Sequence, residues 1–160
     1  MLSARLKVND NYFKIILDKA DTHSGYYLVT EPEKRDSIKG VLVLLAGFGQ
    51  TPEHTVPETK LHLEAYSKNI LTIFCAGGNK LYADSITQQK LSIILKDVIS
   101  RFGVKPTDFV LGGFSAGGMI AMRYTELCKE FPYEQLEETA RNKYSEIAVE
   151  EAVRYCIHKK

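Results

Sequence analysis

The stretch "VLGGFSAGGMIAMRY", Val110–Tyr124, decides the fold, because it passes from an apolar strand through a glycine-flanked serine into an amphipathic helix. Val110 and Leu111 continue "DFVLGG", which has the β-branched and aromatic character of a buried strand. Ile120, Met122, Tyr124 and Leu127 then belong to a helix that starts just after Ser115. Between them, Gly113, Ser115 and Gly117 satisfy G-x-S-x-G. In such a strand-to-helix turn the residues two positions from the serine must be small, and here Gly112 and Gly118 extend that smallness. Ser115 is therefore a candidate nucleophile, and the Ala116 N–H at the helix N-terminus is a candidate donor to an oxyanion.

Working outward, two further apolar runs share the character of the first. "VLVLLAG" reads as a strand buried on both faces, and "NILTIFCAG" repeats it. Helical stretches of the right length for right-handed crossovers lie between them. One is expected over Pro57–Ser67, with Pro57 in the first turn. The next has Ser85 and Gln88 as an S-x-x-Q capping box, carries Leu91, Ile94, Leu95, Val98 and Phe102 at helical spacing, and ends at Gly103. Near the N-terminus, "YFKIIL" and "GYYLVT" flank "DKADTHS", the pattern of an antiparallel hairpin at one edge. The expected fold class is α/β, a three-layer, mostly parallel sheet flanked by helices. Residues 1–132 form this core. Residues 133–160 carry Leu136, Ala140, Tyr144, Ala148, Ala152 and Cys156 at steps of four, as a helical tail.

Composition narrows the function classes. The chain has 160 residues, 44% hydrophobic and 26% charged, enough to bury roughly 70% of its unfolded surface in one domain. A net charge of +1 gives no field that would draw nucleic acid or an anionic membrane, so a small molecule is the expected partner. No stripe of basic and aromatic residues suits single-stranded nucleic acid. The three cysteines, Cys75, Cys128 and Cys156, are widely spaced without a C-x-x-C pair, which points to a reducing, cytoplasmic setting and to no structural metal. The opening "MLSARLKVNDNYFK" lacks the apolar core of a signal peptide.

A second oxyanion donor is expected from "LLAGFGQTPE": the Phe48 N–H, held between Gly47 and Gly49, with His54 close enough in sequence to line the same pocket. The alternative, a dinucleotide loop, fails because Pro52 stands where the third glycine belongs and "NILTIFCAGG" ends without a ribose-binding acid. No G-K-[ST] sequence is present either, so no cofactor is expected.

With "AGFG" and "GFSAGG" in this order, residues from Tyr12 to Pro132 resemble the N-terminal half of an α/β-hydrolase, most similar to its carboxylesterase and phospholipase-like members. The resemblance implies a serine hydrolase that cleaves an ester or related acyl bond, with the acid and the histidine following the serine in chain order. It also makes the tail similar to the helices that cap the pocket in that family. The sequence departs from the pattern at this point. No aspartate follows Asp108, and the one histidine after Ser115 is His158, with Glu150 or Glu151 as its acid.

Other candidates read differently. Asp108 opens the strand whose far end carries Ser115, about 15–20 Å away. Asp84 suits a helix terminus, His23 a solvated hairpin, and His62 a helix surface. Met119 and Met122 read as core filler, and Cys75 as a packed small hydrophobe. The alternatives to a working hydrolase are a truncated or internally deleted one lacking its acid and base, and a non-catalytic small-molecule-binding module. An incomplete sheet would leave an edge open to self-association.

Overall fold

The computed structural model describes residues 5–7, 12–81, 83–105 and 108–127. Six strands make one sheet: β1 (Arg5–Lys7), β2 (Phe13–Ile16), β3 (Tyr26–Thr30), β4 (Gly40–Leu45), β5 (Ile70–Cys75) and β6 (Phe109–Gly113), in the order β1-β2-β3-β5-β4-β6. The strands β4, β5 and β6 pair in parallel, with Leu45 opposite both Cys75 and Gly113. All three are buried along their whole length, as the uninterrupted apolar runs require. The remaining pairings, β1 with β2, β2 with β3 and β3 with β5, are antiparallel. The sheet is thus mixed rather than mostly parallel, because the N-terminal hairpin joins through β3 and the unforeseen β1 extends it.

Helices cover both faces. Side chains alternate along β4, so Val41, Val43 and Leu45 pack with α3 (Ser85–Phe102) and α4 (Ala116–Leu127), whereas Leu42 and Leu44 face the opposite side. There they meet Val56, Leu61 and Ala65 from the segment holding α1 (Pro52–Thr55) and α2 (Leu61–Ser67).

Two helix boundaries differ from the sequence reading. Pro57 does not open a helix. It sits in a 3-10 turn, Val56–Glu58, between α1 and α2, because a proline after α1 cannot continue the intrahelical hydrogen bonds. At α3 the cap is Asp84, not Ser85: its carboxylate accepts the Thr87 N–H at 2.8 Å, and Gln88 bonds the Ala83 carbonyl instead. Gly103 ends that helix at φ 65 as expected. The tail, 133–160, with the Glu150, Glu151 and His158 set, lies outside the described residues.

Candidate functional site

The strands β4 and β6 are parallel neighbours, and the helices that follow them lie on opposite faces of the sheet. Their carboxyl ends therefore form a topological switch point, the place where open α/β sheets hold ligands. The loop after β4 carries Phe48, and the turn after β6 carries Ser115.

Ser115 has φ 50, a left-handed conformation that side chains rarely adopt. It is exposed, and no described side chain hydrogen-bonds its Oγ. The strain is imposed by close packing on either side. A Cβ on Gly113 would come 2.5 Å from the Gly117 carbonyl carbon, and one on Gly117 would collide with the Leu45 and Ala46 carbonyl oxygens. Only glycine fits at both positions, so the G-x-S-x-G spacing is a packing requirement here. Hydrogen bonds from Gly117 N to Phe114 O (2.8 Å) and from Gly118 N to Ser115 O (3.1 Å) close the turn.

The facing loop is equally well defined. Gln50 N bonds Gly47 O at 3.1 Å, and Gly49 has φ 68, the geometry of a type II turn centred on Phe48 and Gly49. A Cβ on Gly47 would stand 3.6 Å from the Phe114 carbonyl oxygen, which brings the two turns into contact. Among the described residues, no acceptor takes the Phe48 or Ala116 N–H. Two free backbone donors thus border an exposed serine.

Sequence reasoning missed what holds this loop. Gln50 Oε1 accepts the Gly47 N–H at 3.1 Å while its Nε2 reaches Glu58 at 3.3 Å, and Gly49 N bonds Gly78 O at 3.3 Å. The Gly47–Gln50 link is a contact at i, i+3, which a turn prediction could have suggested. The Gly78 contact is not visible in sequence.

The three described histidines differ in their surroundings. His54 is exposed at the third position of α1, where its Nδ1 accepts the Thr51 N–H at 3.2 Å. That bond places the ring proton of neutral His54 on Nε2, which then has no lone pair with which to take another. His54 is a capping residue in this arrangement. His23 is not simply solvated: its ring is half-buried, and Nε2 is covered without a partner. It lines a cavity of about 200 Å³ with Ala76, Gly77 and Lys90, but β3 and β6 are three strand spacings apart, about 14 Å. His62 is not on a surface but buried, 8% exposed and edge-on to Phe74.

The carboxylates near this edge are engaged too. Asp84 is held well below the usual carboxylate range by Lys80, 2.7 Å away, and by the Thr87 hydrogen bonds. Burial raises the pKa of Asp21, but bonds from Lys90, Ser24 and His23 N–H outweigh it and leave the group strongly acidic. Asp108 accepts the Lys105 N–H at the other end of β6. Cys75 is fully buried and its thiol is pushed up by desolvation, which keeps it protonated and inert. Met119 and Met122 are 58% and 41% exposed, so they are not core filler but lie on the outer side of α4.

No group of described residues could hold a metal ion, and no described helix is long and apolar enough to cross a membrane. No protein-family model matches the chain, and comparison with curated proteins finds no match.

Proposed function

We propose that the chain is a serine hydrolase of the α/β-hydrolase type, acting on a small-molecule ester or related acyl compound without a cofactor. The observation that carries this reading is Ser115, exposed and strained at φ 50 between two glycines that cannot be replaced without collision. Backbone strain of this kind persists where the surroundings enforce it, and it clusters at reactive sites. The switch point between β4 and β6, and the free Phe48 and Ala116 N–H groups, support the same reading.

In this mechanism Ser115 Oγ attacks the acyl carbonyl as its proton passes to a histidine, and the Phe48 and Ala116 N–H groups stabilise the oxyanion. Collapse expels the alcohol, which takes the proton, and water releases the acyl group by the reverse route. Gly47 and Gly49 let the substrate approach the backbone closely. By the chain order of the resemblance, the base is His158, paired with Glu150 or Glu151. A buried, unreactive Cys75 suits the cytoplasm.

A second reading, a binding module using the same site, is favoured by one observation: none of the described histidines, His23, His54 and His62, hydrogen-bonds Ser115. Reaction of the purified chain with a fluorophosphonate, followed by intact mass, separates the two. Rapid stoichiometric labelling that disappears in Ser115→Ala is the expected result. A folded chain that does not label refutes the hydrolase reading and leaves the binding module.

A further inference from the structure

Of the four backbone donors in the turn from Gly47 to Gln50, three have acceptors. Gln50 N–H closes the turn on the Gly47 carbonyl at 3.1 Å, Gly49 N–H reaches the Gly78 carbonyl at 3.3 Å, and Gly47 N–H is taken by Gln50 Oε1 at 3.1 Å. The fourth, the Phe48 N–H, meets no acceptor among the described residues. Both backbone polar groups of Gly47 are therefore tied to Gln50, one to its backbone and one to its side chain. Gly47 has no Cβ to restrict its own φ and ψ, so its orientation depends on these bonds.

The Gln50 side chain is itself oriented. Its Nε2 donates to Glu58 Oε1 at 3.3 Å, and a carboxylate only accepts, so the NH2 end of the amide faces Glu58 and leaves Oε1 for Gly47. A Cβ on Gly47 would stand 2.7 Å from Oε1, which places the amide directly over that glycine. Gly47 is buried, and a buried N–H released from its acceptor carries a desolvation cost. Without the side chain the backbone at Gly47 has to turn to satisfy that donor, and the Phe48 N–H, one peptide further on, turns with it.

We infer that Gln50 is a positioning residue of the proposed site: its side chain, fixed by Glu58, holds the Gly47–Phe48 peptide so that the Phe48 N–H is left for the oxyanion. The inference rests on the hydrolase reading. Donors aimed in advance act on charge that develops in the transition state, so loosening one slows acylation and leaves the affinity for the ester alone.

The test is burst-phase acylation of the full chain by 4-nitrophenyl acetate, with the acylation rate constant and the apparent dissociation constant resolved separately. Gln50→Ala lowers the rate constant about tenfold, less than the complete loss of an oxyanion donor, and leaves the dissociation constant unchanged. Gln50→Met keeps the length of the side chain without the acceptor, and gives the same answer even where Gln50→Ala fails to fold. Gln50→Glu keeps the acceptor but sets two carboxylates against each other, and it is slow as well. Adding Glu58→Gln puts a donor opposite an acceptor again and returns the rate to within about twofold of the unmodified chain, a rescue that a merely structural role does not give. Equal rates in Gln50→Ala and the unmodified chain overturn the inference and leave the hydrolase reading standing. So does a loss carried by the dissociation constant, or one that the double exchange does not reverse. An unmodified chain that fails to acylate overturns the hydrolase reading, and this inference with it.

Discussion

Asn69 and Ser115 both hold left-handed backbone, at φ 64 and φ 50, and they hold it in different ways. Asn69 is buried, and its side chain is fully used: Oδ1 accepts the Lys34 N–H at 2.9 Å, while Nδ2 donates to the Ser37 carbonyl and, at 2.8 Å, to Ser37 Oγ. Asparagine also tolerates this conformation better than most residues. Ser115 has none of these compensations, for its hydroxyl is exposed and meets no described side chain. Its geometry is maintained by neighbours, through Gly113 and Gly117. Strain that a residue offsets with its own hydrogen bonds is architecture, whereas strain imposed from outside on a free hydroxyl is the mark of a site.

The comparison can be broken most severely at Gly117. Gly117→Val drives a side chain into the Leu45 and Ala46 carbonyls and costs about 3 kcal/mol of unfolding free energy in urea denaturation. Stability like that of the unmodified chain would show that the clamp on Ser115 is slack. Asn69→Ala should lose about 2 kcal/mol by the same measurement, from the unmade bonds and the unrelieved backbone together. A change near zero would place Asn69 with Ser115, as a residue held from outside.

Thr72 provides a third case, a buried hydroxyl that meets no partner among the described residues. Thr72→Val gains about 1 kcal/mol, while Thr125→Val, whose hydroxyl bonds the Met122 carbonyl at 2.7 Å, gains nothing. Equal responses of the two would mean that Thr72 is satisfied after all. The smallest effect is the most specific. Ser115→Gly raises stability by about 0.5 kcal/mol in thermal unfolding, because glycine relieves the strained φ, and it abolishes fluorophosphonate labelling. A loss of stability in that variant would give the Ser115 side chain a structural duty.

Much of this was legible along the chain, and the failures share a cause. "VLVLLAG", "NILTIFCAG" and "DFVLGG" announced β4, β5 and β6, since a strand buried on both faces has nowhere to put a charge. Arg5–Lys7 escaped notice, because a three-residue edge strand is defined by pairing with its neighbour and not by pattern. Asp84 outcompeted Ser85 at the α3 cap by one position, below the resolution of a motif. His23 and His62 looked like surface residues because burial of a lone imidazole depends on what packs over it. Gln50 drew no attention, although it buckles the loop that presents Phe48.

The amino-acid sequence alone determined the alternation of buried strands and helices, the serine between its glycines and the companion turn at Gly47–Gly49, since all of these depend on residue size and hydropathy within a few positions. Only the tertiary structure decided that β4 and β6 lie side by side, with their helices on opposite faces, so that two turns more than sixty residues apart in the chain come into contact. It alone brought Thr30, Thr72 and His62 together under α2. Local preference is written in neighbours along the chain, while pairing and burial are settled by contacts between residues far apart in it.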